Sequence, residues 1–128
     1  MKNTGKFVGV SHLYLGKDIN SDNTDRYVIG NTAACMMVKR KLFDKIYFNE
    51  SYENCFEDVE FNVQCLLKDY TNVCLNSIAA LHHESATRKQ ATSTNDVNRI
   101  KKLFEDNFLS LKKKWIFLLD DNNQLIKK

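Results

Sequence analysis

A chain of 128 residues with 43% hydrophobic and 27% charged side chains has the balance of a soluble globular unit, sized for one domain or one part of a larger one. Its net charge of +3 is weak, and acidic residues interrupt the basic ones almost everywhere. That excludes the concentrated basic surface of a nucleic-acid binder and leaves a modest bias toward a phosphorylated ligand or peripheral contact with an anionic membrane. Cys35, Cys55, Cys65 and Cys74 form no Cys-x-x-Cys pair, so free, mostly buried thiols in a reducing compartment are expected.

Met1 to Lys6 leads into no long apolar run, so no signal peptide is expected. Phe7 to Leu15 alternates and reads as a strand closed by Gly16. The polar stretch Lys17 to Arg26 reads as an exposed loop, and Tyr27 to Ile29 as a short extended piece. Ala33 to Val38 is a compact apolar run of buried-strand length, stopped by Lys39, Arg40 and Lys41. Leu42, Phe43 and Ile46 then suit one face of a short helix.

The strongest helix of the first half starts near Glu57. Phe56, Val59, Val63, Leu66 and Tyr70 recur at three- and four-residue steps, which places Glu57, Glu60, Gln64 and Lys68 outward. Val73 to Leu75 and Ile78 to Leu81 read as short extended segments ending at His82. Lys89 to Asn95 is polar, and a second helix follows with Thr94 or Asn95 as cap. Its apolar stripe, Val97, Ile100, Phe104, Phe108, Leu111, Trp115 and Leu118, requires a partner surface. The order of strands and helices predicts a mixed α/β unit. No glycine-rich turn after a first strand offers a nucleotide cradle.

Three clusters could carry chemistry. Glu53, Glu57, Asp58 and Glu60 gather around a helix start, where carboxylates are favoured by unpaired backbone N–H groups. The same placement could hold Asp58 as a general base at the mouth of a cleft. His82-His83-Glu84-Ser85-Ala86-Thr87-Arg88 is the second cluster. A neutral imidazole can ligate a divalent metal, and Arg88 could meet a phosphate bidentately. Trp115, third, fits a core position in a regular stripe better than a sugar platform. The Lys112 to Lys114 run suits a solvated helix face.

These segments together resemble the C-terminal half of the family 2 glycosyltransferases, an inverting family with the GT-A fold, in the branch that builds rhamnan or O-antigen polysaccharides. The likeness rests on Asn31-Thr32-Ala33-Ala34-Cys35-Met36-Met37-Val38 followed by Lys39-Arg40 and Phe43, on Phe48-Asn49-Glu50, and on Phe56-Glu57-Asp58-Val59-Glu60-Phe61 opening a helix. It continues through Leu67-Lys68-Asp69-Tyr70, where relatives carry Gly-Tyr, through His82 to Arg88, and through Lys114-Trp115 with Asp120 to Asn123. It covers the chain from about Val8 to its end.

The resemblance implies a C-terminal fragment of a GT-A-like nucleotide-diphospho-sugar transferase fold, a mixed sheet with a long C-terminal helix. It divides the chain into an acceptor-side portion over 1–95, a C-terminal helix over 96–120 and a polar tail over 121–128. Asp58 would be the catalytic base and Glu57 would support the acceptor. His82, or less directly His83, would reach a divalent metal (Mn or Mg), and Arg88 the donor phosphates.

The implied reaction moves a sugar from a nucleotide-sugar to a glycan or lipid-linked acceptor with inversion, in the cytoplasm or at the inner face of the membrane. The family's nucleotide-binding half and its Asp-x-Asp motif have no counterpart here, and Ala33 stands where relatives carry glycine. A donor-binding partner chain or self-association would complete such an enzyme. The alternative is a non-catalytic carbohydrate- or protein-binding remnant.

Overall fold

The structure, a computed structural model, describes residues 16–18, 21, 23–80, 82, 90 and 93–115. The expected strand over Phe7 to Leu15, residues 83–89 and residues 116–128 lie outside the described residues, as does the side chain of Trp115. The described part is mixed α/β: a two-stranded antiparallel sheet and two α-helices, joined by turns. Strand β1 (Arg26–Val28) pairs with β2 (Asn72–Cys74), placing Tyr27 opposite Val73. Helix α1 is Glu57–Leu67, and α2 is Thr94–Trp115.

Helix α1 forms the centre. On one side Phe61 and Cys65, one turn apart, pack with Ile46 and gather Met36, Val38, Leu42 and Phe48. The Phe48 and Phe61 rings stack at 4.7 Å. On the other side Phe56 and Val59 meet Tyr52, Leu111 and Phe108, so α2 docks through its Phe108–Leu111 stretch. Embedded on two sides, α1 buries Glu60 and Asn62 along with its apolar residues. Placing Glu60 outward, as the apolar period suggests, is therefore wrong: it is 1% exposed.

Other expectations also yield to local geometry. Ala33 to Val38 is no buried strand. Thr32 caps a 3-10 turn over Ala33–Cys35 through its hydroxyl, and Met37 is 99% exposed. Arg40–Leu42 forms another 3-10 turn, whose continuation buries Ile46 but leaves Phe43 partly open. Ile78 to Ala80 pairs with no strand among the described residues.

The cap of α2 is Ser93, one residue before the expected pair. Its hydroxyl accepts from the Asp96 backbone N–H and donates to the Asp96 carboxylate at 2.6 Å. Asp69 closes α1 with φ +63°, the left-handed conformation that glycine supplies most readily and Asp tolerates.

None of the four cysteines is in a disulfide, but only Cys65 is buried, Cys55 and Cys74 are half-buried, and Cys35 is exposed. Burial pushes the Cys65 thiol up, which disfavours its reactive thiolate. Under native conditions a maleimide or Ellman's reagent is expected to modify Cys35 first. Cys65 should react only on unfolding, as mass mapping of the labelled peptides will tell. Early labelling of Cys65 would contradict this packing.

Candidate active site at the start of α1

The backbone entering α1 is unusual. Phe56, the residue before its first turn, has φ +75° and contributes no side-chain cap. A bulky residue in the left-handed region costs about 1–2 kcal/mol and persists only where packing fixes it. The fixing comes from Phe104 and Phe108 of α2, whose rings lie 5.0 and 6.0 Å from that of Phe56. Glu57 and Asp58 follow directly, in the turn where unpaired backbone N–H groups favour negative charge.

Asp58 reaches across to the preceding turn. One carboxylate oxygen accepts the Ala33 N–H at 3.0 Å and the other accepts the Val59 N–H at 2.8 Å. A carboxylate has about four acceptor positions, so two remain for a ligand hydroxyl. The adjoining scaffold is built from asparagine amides. Asn62, buried, donates to the carbonyls of Asp58 (2.7 Å) and Asn31 (2.8 Å) and accepts from the Asn31 N–H (3.1 Å). Asn72 donates to the carbonyls of Ile29 and Asn62, and Asn31 donates to that of Val73. These amides tie β1, β2 and the Asn31–Ala33 turn to α1, and thereby set where Asp58 stands.

Gly30 is part of this frame. A Cβ placed there would lie 2.8 Å from the Asn62 Cβ and 3.0 Å from its Cγ. Asn62 is held by three hydrogen bonds and cannot retreat. Gly30→Ala is expected to cost about 1–3 kcal/mol, measured as a lowered urea midpoint. An unchanged midpoint would mean that the Asn31–Asn62 contact is looser than described.

The other predicted residues separate. Glu57 is half-buried, and its Oε2 is fully buried with no hydrogen-bond partner, a cost that marks it for explanation. Glu53 forms an exposed ion pair with Arg99 at 3.2 Å, and Asn107 of α2 donates to its carbonyl. Glu60 turns away from Asp58 to the other side of the helix.

There Glu60 accepts from Lys114, from Asn49 at 3.2 Å and from Gln64 at 3.4 Å. Burial alone would raise its pKa. The hydrogen bonds from Lys114 and Asn49, the neighbouring Tyr52 hydroxyl and the Lys114 charge outweigh it and hold the carboxyl below its ordinary value. Tyr52, beside it, is pushed up to about 12, first by burial and then by the Glu60 carboxylate. The Lys112 to Lys114 run is thus more than a solvated face, because Lys114 anchors α2 to α1.

His82 is exposed, and His83 and Arg88 lie outside the described residues. Among the described residues no group of three or more His, Cys, Asp or Glu could hold a metal ion. Two surface depressions among the described residues do not supply the expected cleft mouth at Asp58. One, of about 1060 Å³, runs along Glu60 and Gln64. The other, of about 460 Å³, lies over Ala33 to Val38. Neither is lined by Glu57 or Asp58.

Asn62, Tyr52 and Lys114 were not singled out as site residues by sequence. The signal available for Asn62 was its place four residues after Asp58, one helical turn along the same face. Among the described residues, no helix is long and apolar enough to cross a membrane.

Comparison with known proteins gives one partial likeness. The chain is similar to the O-antigen biosynthesis protein RfbC of Myxococcus xanthus, with 32% identity over 59 residues. That stretch is 45% of this chain and 5% of that protein, so the match spans a small part of a much longer relative. No family model matches, and no solved structure matches.

Proposed function

We propose that this chain is the acceptor-side part of an inverting glycosyltransferase of the family 2, GT-A type, acting in polysaccharide biosynthesis on the cytoplasmic side of the membrane. The observation that carries this reading is Asp58. Its carboxylate is held by two backbone N–H groups at a strained helix entry and keeps acceptor positions for a substrate hydroxyl. The partial likeness to an O-antigen biosynthesis protein points the same way.

In the proposed step Asp58 takes the proton from the acceptor hydroxyl as that oxygen attacks the anomeric carbon of a nucleotide-sugar. The bond to the nucleoside diphosphate breaks on the opposite face, and the configuration inverts. Glu57, beside it in the first turn of α1, would support the acceptor. The divalent metal expected with the complete donor site would be reached by His82 or His83. A donor-binding half, in the same protein or in a partner chain, would bring the nucleotide-sugar, with His82, His83 and Arg88 as this chain's proposed contribution to the donor side.

The test is genetic complementation. Deletion of the coding locus in its host should remove or shorten a surface polysaccharide, visible on a carbohydrate-stained gel. The wild-type gene should restore it, and Asp58→Asn should not.

A second reading, a binding remnant without turnover, is favoured by the absence of Glu57 and Asp58 from the lining of both depressions. Restoration by Asp58→Asn would select it.

A further inference from the structure

The larger depression runs along the side of α1 turned away from Asp58. At about 100° per residue, Glu60 projects about 200° around the axis from Asp58. Phe43, Tyr47, Asn49, Gln64, Lys68 and Lys114 are among its lining residues. We propose that this groove is a saccharide subsite, separate from Asp58, that takes a neutral hexose unit.

Its chemistry is that of a sugar site. Phe43 packs against Phe48 and Phe61 at 6.2 and 5.6 Å, which fixes its ring, yet it remains 43% exposed. Tyr47, which also lines the groove, is 73% exposed. A fixed ring and a second aromatic in one groove offer apolar surface to the C–H face of a pyranose. Around these rings stand groups that bind hydroxyls.

Asn49 and Gln64 have their amide N–H groups turned to Glu60, and the Asn49 oxygen accepts the Ser51 N–H at 3.0 Å. Each amide NH2 keeps a second N–H, and among the described residues no donor takes the Gln64 oxygen, so these amides can meet a ligand hydroxyl. Apolar walls with a few placed polar groups are the usual composition of a small-molecule site.

Charge gives an anion little advantage over a neutral ligand. Three lysines line the groove (Lys45, Lys68 and Lys114) against two glutamates, Glu50 and Glu60. Lys114 is paired with Glu60, and Lys45 donates to the neutral Tyr70 hydroxyl at 3.4 Å and keeps its charge, so Lys45 and Lys68 stand against Glu50. A phosphate would meet little uncompensated positive charge. The volume of about 1060 Å³ is at the upper end of small-ligand sites and accommodates more than one hexose. The ligand class comes from the groove itself and does not depend on the role of Asp58.

The test uses the whole ¹⁵N-labelled chain, titrated with the methyl glycosides of glucose, galactose, mannose and rhamnose, and separately with inorganic phosphate. At least one glycoside is expected to produce saturable shifts at the amides of Tyr47, Asn49 and Gln64. Tyr47→Ala and Gln64→Ala, checked for an otherwise unchanged spectrum, should each weaken binding by about tenfold or more. Asp58→Asn should bind as the wild type does, which separates this site from the catalytic proposal. No saturable shift with any glycoside, binding that survives both groove substitutions, or equivalent shifts with phosphate would overturn the inference.

Discussion

Asp58→Asn is expected to lower sugar transfer by about a hundred- to ten-thousand-fold, the usual contribution of a positioned general base, while protein abundance stays near that of the wild type. The asparagine oxygen can still accept one of the two backbone N–H groups that now hold the carboxylate. Asn62 bonds to the Asp58 carbonyl, which the substitution leaves in place. Basicity is thus removed with limited damage to the frame.

Transfer would be followed in membranes of the complemented strain, with labelled nucleotide-sugar as donor. Asp58→Glu is the informative companion. It restores basicity but displaces the carboxylate by a methylene, and should recover only part of the rate. Transfer within about threefold of wild type in Asp58→Asn would remove Asp58 from the base role, because a general base contributes far more than that.

The second large effect is on stability and is asymmetric. Glu60 is 1% exposed at its side chain, whereas Lys114 is 49% exposed. Lys114→Met leaves a carboxylate buried without its counter-ion and should cost about 3 kcal/mol. Glu60→Gln lets Lys114 swing into water and keeps an acceptor for Asn49, so it should cost about 1 kcal/mol. Urea midpoints of the two variants would decide the order. Equal costs would mean that the Glu60 charge is not confined as described.

The pH dependence follows from the same cluster. Glu60 has its folded pKa held below the ordinary 4.5. Its contribution is therefore present above pH 4.5 and is lost as pH falls through the lower folded value. Lys114→Met should flatten that acid limb. Tyr52 works in the other direction. With its pKa raised from 10.0 to about 12, its contribution is complete below pH 10 and is lost as pH rises toward 12.

Local signals were legible where the chain decides its own geometry. Two acidic residues before an apolar period marked the start of α1, the short extended piece at Tyr27 became β1, and Val73 fell within β2. Asp69 takes the left-handed conformation that glycine supplies most readily, just past the end of the apolar period.

What failed depended on partners distant in sequence. Apolar periodicity treats a helix as having one inner face, but α1 is enclosed by Ile46 and Phe48 on one side and by α2 on another, so Glu60 is buried at an outward position. Lys114 is 54 residues from Glu60, and no spacing rule connects them. Ala33 to Cys35 has strand-like composition, but the Thr32 hydroxyl captures the Ala34 N–H and winds it into a turn. For the candidate site, sequence indicated Asp58 as a helix-start carboxylate. It did not indicate that Asn31, Asn62 and Asn72 would build the frame behind it.

The left-handed backbone at Phe56 makes the two helices a lever and its fulcrum. The same residue presents its ring to α2 and, through its φ of +75°, sets the direction in which Glu57 and Asp58 leave the chain. If α2 lifts away, the wedge that holds this conformation is gone and the backbone relaxes toward an ordinary helix entry. The carboxylates then lose their aim before any residue touching them has changed. Substitutions at Phe104 or Phe108, remote from Asp58 in sequence, therefore belong among the first places to look for variants that fold, accumulate and have misdirected chemistry.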